Sequence, residues 1–233
     1  MFSTVSTYFT DFYRLFYPSI CGCCDQPLTK GEAQLCVHCR LSLPFTQYEK
    51  MEENPVEKSL FGRAPIVYGS ALLQFSKGES TQQLLHNIKY NGQRELAVFM
   101  GRMMGTRLQE SGRLLAVDVL MPVPLHPQKE QVRGYNQSAL LAEGMAAILP
   151  AEVQKNNLVR KVATATQTRK SRLERWENVE AVFDVRHPER LRGKHIMLVD
   201  DVLTTGATIE ACVQALTEKA DCSVSVAVLA TPM

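Results

Sequence analysis

The residues with the clearest capacity for chemistry are cysteines. Five of the seven lie between positions 21 and 39, and four of these form two CxxC pairs, Cys21/Cys24 and Cys36/Cys39, with eleven residues between the pairs. Each two-residue turn brings both of its sulfurs to one ion, and four thiolates complete the tetrahedral shell that a structural zinc prefers. Such a shell leaves no position open to substrate, so the metal would serve to fold a segment too short to hold its own core. Cys23 and His38 lie inside the knuckles and are alternative ligands, although the paired spacing favours Cys21, Cys24, Cys36 and Cys39. A redox pair would need a strand-to-helix turn around it, and no such pattern surrounds Cys21.

The second chemical feature is the run from His195 to Thr208, HIMLVDDVLTTGAT. An apolar strand ends in Asp200 and Asp201, and a Thr-Thr-Gly-Ala-Thr turn then opens a helix. Backbone N–H groups and hydroxyls therefore converge at a helix N-terminus, which favours an anion. Gly206 lets the backbone come close to a bound phosphate, while Thr204, Thr205 and Thr208 add hydroxyl donors. Adjacent carboxylates would repel a phosphate, but they suit the hydroxyls of a sugar that carries one. Taken singly, the aspartates would only end a strand and a threonine would only cap a helix. The complete order is much more specific than that.

These residues need an α/β frame to hold them. Residues 64–75 and 117–123 read as strands, 79–90, 94–110 and 137–149 as helices, and 195–202 as a fully buried strand. A helix from 207 to 220 and a last strand over 223–230 follow. This alternation predicts a mostly parallel sheet covered on both faces. Residues 1–63 are expected to form the cysteine module with a charged connector over 46–63, and residues 64–233 the α/β domain.

Composition sets outer bounds. The chain has 233 residues, 45% of them hydrophobic, enough for a core plus a small module. With 26 basic and 24 acidic residues, the overall field gives no reason to expect nucleic acid or an anionic membrane. The first twenty residues are apolar and aromatic, but Asp11 and Arg14 interrupt them, and a basic n-region and a cleavage site are both missing. Phe9, Phe12, Tyr13 and Phe16 instead fit one packed face of a short helix. The expectation is a soluble, cytoplasmic protein without membrane insertion, whose thiols stay reduced.

LVDDVLTTGAT resembles the phosphoribosyl diphosphate signature of type I phosphoribosyltransferases, and the whole chain resembles the ComF (GntX) family. Further hallmarks appear in order: the double CxxC, Ile88–Gly92, Met121–Pro127, Arg133–Gln137, and Thr166–Arg175 with Asn178. The resemblance implies a type I phosphoribosyltransferase fold, a parallel sheet flanked by helices, with a small N-terminal zinc ribbon. It implies that Asp200 and Asp201 contact the ribose hydroxyls and that residues 204 to 208, Ala207 included, hold the 5-phosphate. A diphosphate would lie against Pro124, Leu125, His126 and Arg133, accompanied by magnesium. Arg169, Lys170 and Arg172 would close over the ligand as a catalytic loop, although as a bare charge run they equally describe a solvated face. His126 suits an ordinary turn better than a catalytic role.

Two functions follow. One is transfer of phosphoribose from phosphoribosyl diphosphate to an acceptor that the sequence does not identify, with release of pyrophosphate. The other is a non-catalytic accessory role in DNA uptake, competence or recombination, with the ribbon and the basic 160–175 segment contacting protein or single-stranded DNA.

Overall fold

The computed structural model describes residues 18–76, 80–161 and 182–232. The chain's most apolar stretches become the strands. β1 (Gly69–Phe75), β2 (Val119–Pro122), β3 (Glu152–Val153), β6 (His195–Val202) and β7 (Ser223–Pro232) form one five-stranded sheet in the order β1-β7-β6-β2-β3, with every neighbouring pair parallel. β4 (Leu158–Arg160) and β5 (Phe183–Val185) pair antiparallel as a separate ribbon. β6 is central and reads as a near-continuous apolar run because both of its faces are covered. Ile196 and Leu198 pack with one apolar cluster, Met197 and Val199 with the other.

The helices divide between the two faces. α3 (Ser80–Tyr90), α4 (Arg94–Glu110) and α6 (Gln137–Ala146) cover the side of Met197 and Val199. α7 (Ala207–Lys219) covers the other, burying Ile209, Cys212, Val213 and Leu216. α4 and α6 meet backbone to backbone, because Gly101 and Gly144 face one another. A Cβ on Gly144 would lie 2.8 Å from the Arg102 amide nitrogen and 2.9 Å from the Gly101 Cα, which real side chains do not tolerate.

The cysteine segment and α1 (Val37–Ser42) lie on α3 and α4. Cys21, Leu35, Cys39 and Leu43 share an apolar cluster with Leu84, Ile88 and Leu96. The stretch expected as a connector is built into the domain. Phe45 bridges antiparallel to Leu73 of β1, and α2 (Pro55–Leu60) buries Val56 and Leu60 completely against the sheet. Asn54 caps α2 by accepting from the Val56 and Glu57 N–H groups, and the Glu57 carboxylate returns a bond to the Asn54 N–H, a full capping box with Pro55 at the first helical position.

The strands come out close to expectation at β6 and β7. β1 begins at Gly69 rather than 64, and β2 covers Val119–Pro122 only. Two helices lie where turns and connector were read, α2 and α5 (Pro127–Arg133). The aromatic N-terminal residues Phe9, Phe12, Tyr13 and Phe16 lie outside the described residues. Among the described residues, no helix is long and apolar enough to cross a membrane.

Candidate functional site

The strand order fixes where a ligand can enter. From β2 the chain passes through α5 and α6 to β3 on one side; from β6 it passes through α7 to β7 on the other. β2 and β6 are neighbours, so the crevice beyond their carboxyl ends is a topological switch point, the usual ligand position in an open parallel sheet. Asp200 and Asp201 end β6 there, and Pro124, Leu125 and His126 follow β2.

The two carboxylates are held differently. Asp200 Oδ1 accepts from Ser138 Oγ at 2.9 Å and from the Asp201 N–H at 2.8 Å. Burial, and next the charge of Asp201, raises the Asp200 carboxyl from 3.8 to about 7. Asp201 is only 6% exposed, and among the described residues its Oδ2 accepts no directed hydrogen bond. Lys89 Nζ lies 3.0 Å from that oxygen, an ion pair without a directed hydrogen bond. Asp201 shares the strand face of Met197 and Val199, which looks toward α3, and Lys89 stands in the last turn of α3.

The turn after β6 runs Leu203–Gly206 into α7. Gly206 adopts φ +79°, the left-handed region, and so directs the backbone into the helix. Thr204, Thr205, Ala207 and Thr208 are exposed. Leu60 and Arg63 brace the turn from outside. A Cβ on Gly206 would meet Leu60 Cδ2 at 3.1 Å, while Arg63 donates to the Thr205 carbonyl at 2.8 Å and pairs with Glu210 at 2.5 Å.

After β2, the His126 ring nitrogen accepts from the Gln128 N–H at 3.3 Å, so His126 caps α5. Pro124 and Leu125 line a polar cavity of about 400 Å³ with Asn136, Lys155, Arg160 and Arg186. Arg133 donates to Gln137 and lies over the Tyr90 ring, 5.4 Å from its centre. Together with Lys89, Tyr90, Lys129 and Val132 it lines a concavity of about 410 Å³. The fold thus gathers Asp200, Asp201 and the 204–208 turn at one end of β6. Arg169, Lys170 and Arg172 lie outside the described residues. Lys89 and Arg63 were given no role from sequence, although Lys89 lies within the Ile88–Gly92 run.

The cysteines form a separate centre. The sulfurs of Cys21, Cys24, Cys36 and Cys39 all lie within 4.8 Å of one another, and Cys24 and Cys36 are 3.8 Å apart. Bonds of about 2.3 Å to a tetrahedral zinc require sulfur separations of about 3.8 Å, so the set fits that ion. The Cys36 N–H donates to Cys21 Sγ at 3.3 Å and the Cys39 N–H to Cys36 Sγ at 3.4 Å. Burial opposes ionisation of Cys21, but N–H donors from Cys36, Cys23 and Cys24 outweigh it and bring the thiol down to about 7. Cys23 is buried outside the four-sulfur set. Burial, followed by the charges of Cys21, Cys24 and Cys36, pushes its thiol up to about 12. His38 is likewise not among the four.

Several known proteins are similar to this chain. The phosphoribosyl transferase domain family matches residues 136–233. The DNA utilization protein YhgH of Escherichia coli K12 is 26% identical over 227 residues, 91% of this chain and 96% of YhgH. The competence protein ComFC of Bacillus subtilis is 34% identical over 101 residues, 43% of this chain and 39% of ComFC. Among solved structures, the allosteric regulatory enzyme of purine biosynthesis aligns at 22% identity and TM-score 0.42, over 57% of this chain and 25% of its own. The fold is that of the type I phosphoribosyltransferases, a parallel sheet flanked by helices, with a four-cysteine cluster toward the N-terminus.

Proposed function

For a chain that belongs to the ComF family and carries a phosphoribosyl transferase domain, we propose that the end of β6 binds the ribose 5-phosphate part of phosphoribosyl diphosphate and transfers it to an acceptor. One observation carries the reading. Among the described residues, the buried Asp201 Oδ2 has the Lys89 ammonium as an ion-pair partner at 3.0 Å but no directed hydrogen bond, and it lies three residues before the exposed Thr204 and Thr205 at the switch point. Buried polar atoms are usually hydrogen-bonded, and a sugar hydroxyl would supply the directed bond that the ion pair does not.

In this reading Asp200 and Asp201 accept from the ribose hydroxyls, and the N–H groups and hydroxyls of residues 204–208 hold the 5-phosphate at the start of α7. Displacement at C1 breaks its bond to the diphosphate oxygen as the bond to the acceptor forms. Positive charge would develop on the ribose, and in this reading the carboxylate pair would stabilise it. Pro124, Leu125, His126 and Arg133 are assigned to the diphosphate, and Arg169, Lys170 and Arg172 join them on charge alone. Magnesium binds through few carboxylates together with substrate phosphates, so Asp200 and Asp201 are the residues that would hold it, and it would neutralise the leaving diphosphate. The four cysteines would hold zinc in a structural role.

A second reading rests on the relatives' names, DNA utilization protein and competence protein. In it the pocket binds ligand without turnover and the chain serves DNA uptake through protein or single-stranded DNA contacts.

Calorimetric titration of phosphoribosyl diphosphate with magnesium tests the first reading, with the Asp200→Asn, Asp201→Asn double variant as control. Saturable binding that disappears in the variant is expected. Failure of the wild-type protein to bind would overturn the pocket assignment. Binding that survives in the variant would overturn the role of the aspartates.

A further inference from the structure

Lys89 is the residue whose surroundings the proposed function leaves unexplained. Its ammonium lies 3.0 Å from Asp201 Oδ2, yet its side chain also lines the concavity that holds Lys129 and Arg133. Among the described residues, no acidic side chain lines that concavity. One cation thus stands between a buried carboxylate and a cluster of two further cations.

The backbone beneath Lys89 is fixed. Ile88 is fully buried, and its carbonyl accepts a hydrogen bond from the hydroxyl of Tyr135, itself 8% exposed. One residue before Ile88, Asn87, also buried, donates to the Gly22 carbonyl at 3.1 Å. Motion at this position therefore belongs to the four-carbon side chain, which is long, flexible and 23% exposed. The ion pair with Asp201 is not reinforced by a directed hydrogen bond. A long side chain on a fixed backbone, held by charge alone and bordering a second anion-seeking surface, is built to exchange partners.

We propose that Lys89 is a positioning residue that neutralises Asp201 in the free site and turns to the diphosphate, alongside Lys129 and Arg133, when a ribose hydroxyl takes the Asp201 oxygen. The inference rests on the phosphoribosyl reading above. It deepens that reading by assigning the discrimination between a ribose carrying diphosphate and one carrying none to a residue of α3. In the free protein the ammonium offsets a buried negative charge. In the complex the hydroxyl satisfies Asp201, and the charges of the diphosphate draw the ammonium outward. No bond is made or broken in the exchange, only two ion-pair partners.

The experiment compares two ligands, phosphoribosyl diphosphate with magnesium and ribose 5-phosphate, by calorimetric titration of the zinc-loaded full chain. Lys89→Met should weaken phosphoribosyl diphosphate about tenfold or more, the scale of one lost charge-assisted contact. Its affinity for ribose 5-phosphate should stay level or rise, because no ammonium then competes for Asp201. Lys89→Arg keeps the charge and should restore most of the preference for the diphosphate. Lys89→Gln retains a donor beside Asp201, carries the same expectation as Lys89→Met, and serves if the latter does not fold. Equal losses for both ligands would mean that Lys89 only supports Asp201, and would overturn the partner exchange, as would no change for either. Wild-type protein that binds neither ligand would instead remove the phosphoribosyl reading itself.

Discussion

Replacing Asp200 with asparagine should stabilise the protein at alkaline pH while removing the proposed ligand contact. Asp200 Oδ1 accepts from Ser138 Oγ at 2.9 Å and from the Asp201 N–H at 2.8 Å, and an asparagine carbonyl can accept both. What the substitution removes is a charge that burial, and then Asp201, makes costly, raising the carboxyl from 3.8 to about 7. A shift of about three units corresponds to ~4 kcal/mol. The sign is fixed by linkage. The folded state binds this proton more tightly than the unfolded chain does, so the contribution is fully present below the unfolded value of 3.8 and is lost as pH rises through about 7. Attraction from Lys89 partly offsets the cost of charging Asp200, and the variant loses that attraction too. The net gain at about pH 8 should therefore be about 1–3 kcal/mol, or roughly 2–10 °C in Tm for a chain of this size. Thermal unfolding followed by circular dichroism from about pH 5 to about pH 8 measures it. The variant's advantage should be small at the acid end and grow toward the alkaline end. A variant less stable at the alkaline end, or an advantage that does not change with pH, would refute the reasoning.

Three further outcomes follow from the geometry. Cys24→Ser should abolish binding of one zinc per chain while Cys23→Ser retains it, because only Cys24 belongs to the four-sulfur set; metal analysis of the purified variants separates the two. Gly144→Ala should destabilise the protein by about 2–4 kcal/mol, since its Cβ must displace the backbone of α4; denaturant unfolding reads the loss, and a value below about 1 kcal/mol would show that the helices can separate freely. Gly206→Ala should cost about 1–2 kcal/mol for the left-handed backbone and weaken ribose 5-phosphate binding, read by denaturant unfolding and calorimetric titration; an unchanged affinity would show that the turn does not take the phosphate.

The parts legible in the sequence are those that carry their own pattern. β6 announces itself as an unbroken apolar run because both faces are covered, and the Asp-Asp and Thr-Thr-Gly-Ala-Thr groups follow it in chain order. α2 was legible in principle. Asn54, Pro55 and Glu57 spell a capping box with proline at the first helical position, but the charge of the surrounding stretch suggested a connector. α5 is also short, at seven residues, and its cap is a histidine, which seldom signals a helix start. β3, β4 and β5 have two or three residues each, too few for alternation to emerge. Lys89 and Arg63 were not legible as site residues, because what brings them to the β6 end is the packing of α3 and α2 on the sheet.

That packing also explains why a metal-fitting cluster accompanies this domain. The Gly22 carbonyl, between Cys21 and Cys23, is the acceptor for Asn87, two residues before Lys89. A Cβ on Gly22 would lie 2.5 Å from a Leu96 methyl, so the knuckle sits directly on α4 as well. The knuckle thus fixes the last turns of α3 from one side while Tyr135 fixes them from the other, through the Ile88 carbonyl. On the opposite face of the sheet, Leu60 and Arg63 of the N-terminal segment hold the Thr205–Gly206 turn. The residues before β1 therefore brace the helix turn that carries Lys89 and contact the turn that would take the phosphate. A short segment that folds around four thiolates supplies rigidity where the sheet itself ends, and a site assembled from strand ends depends on that rigidity.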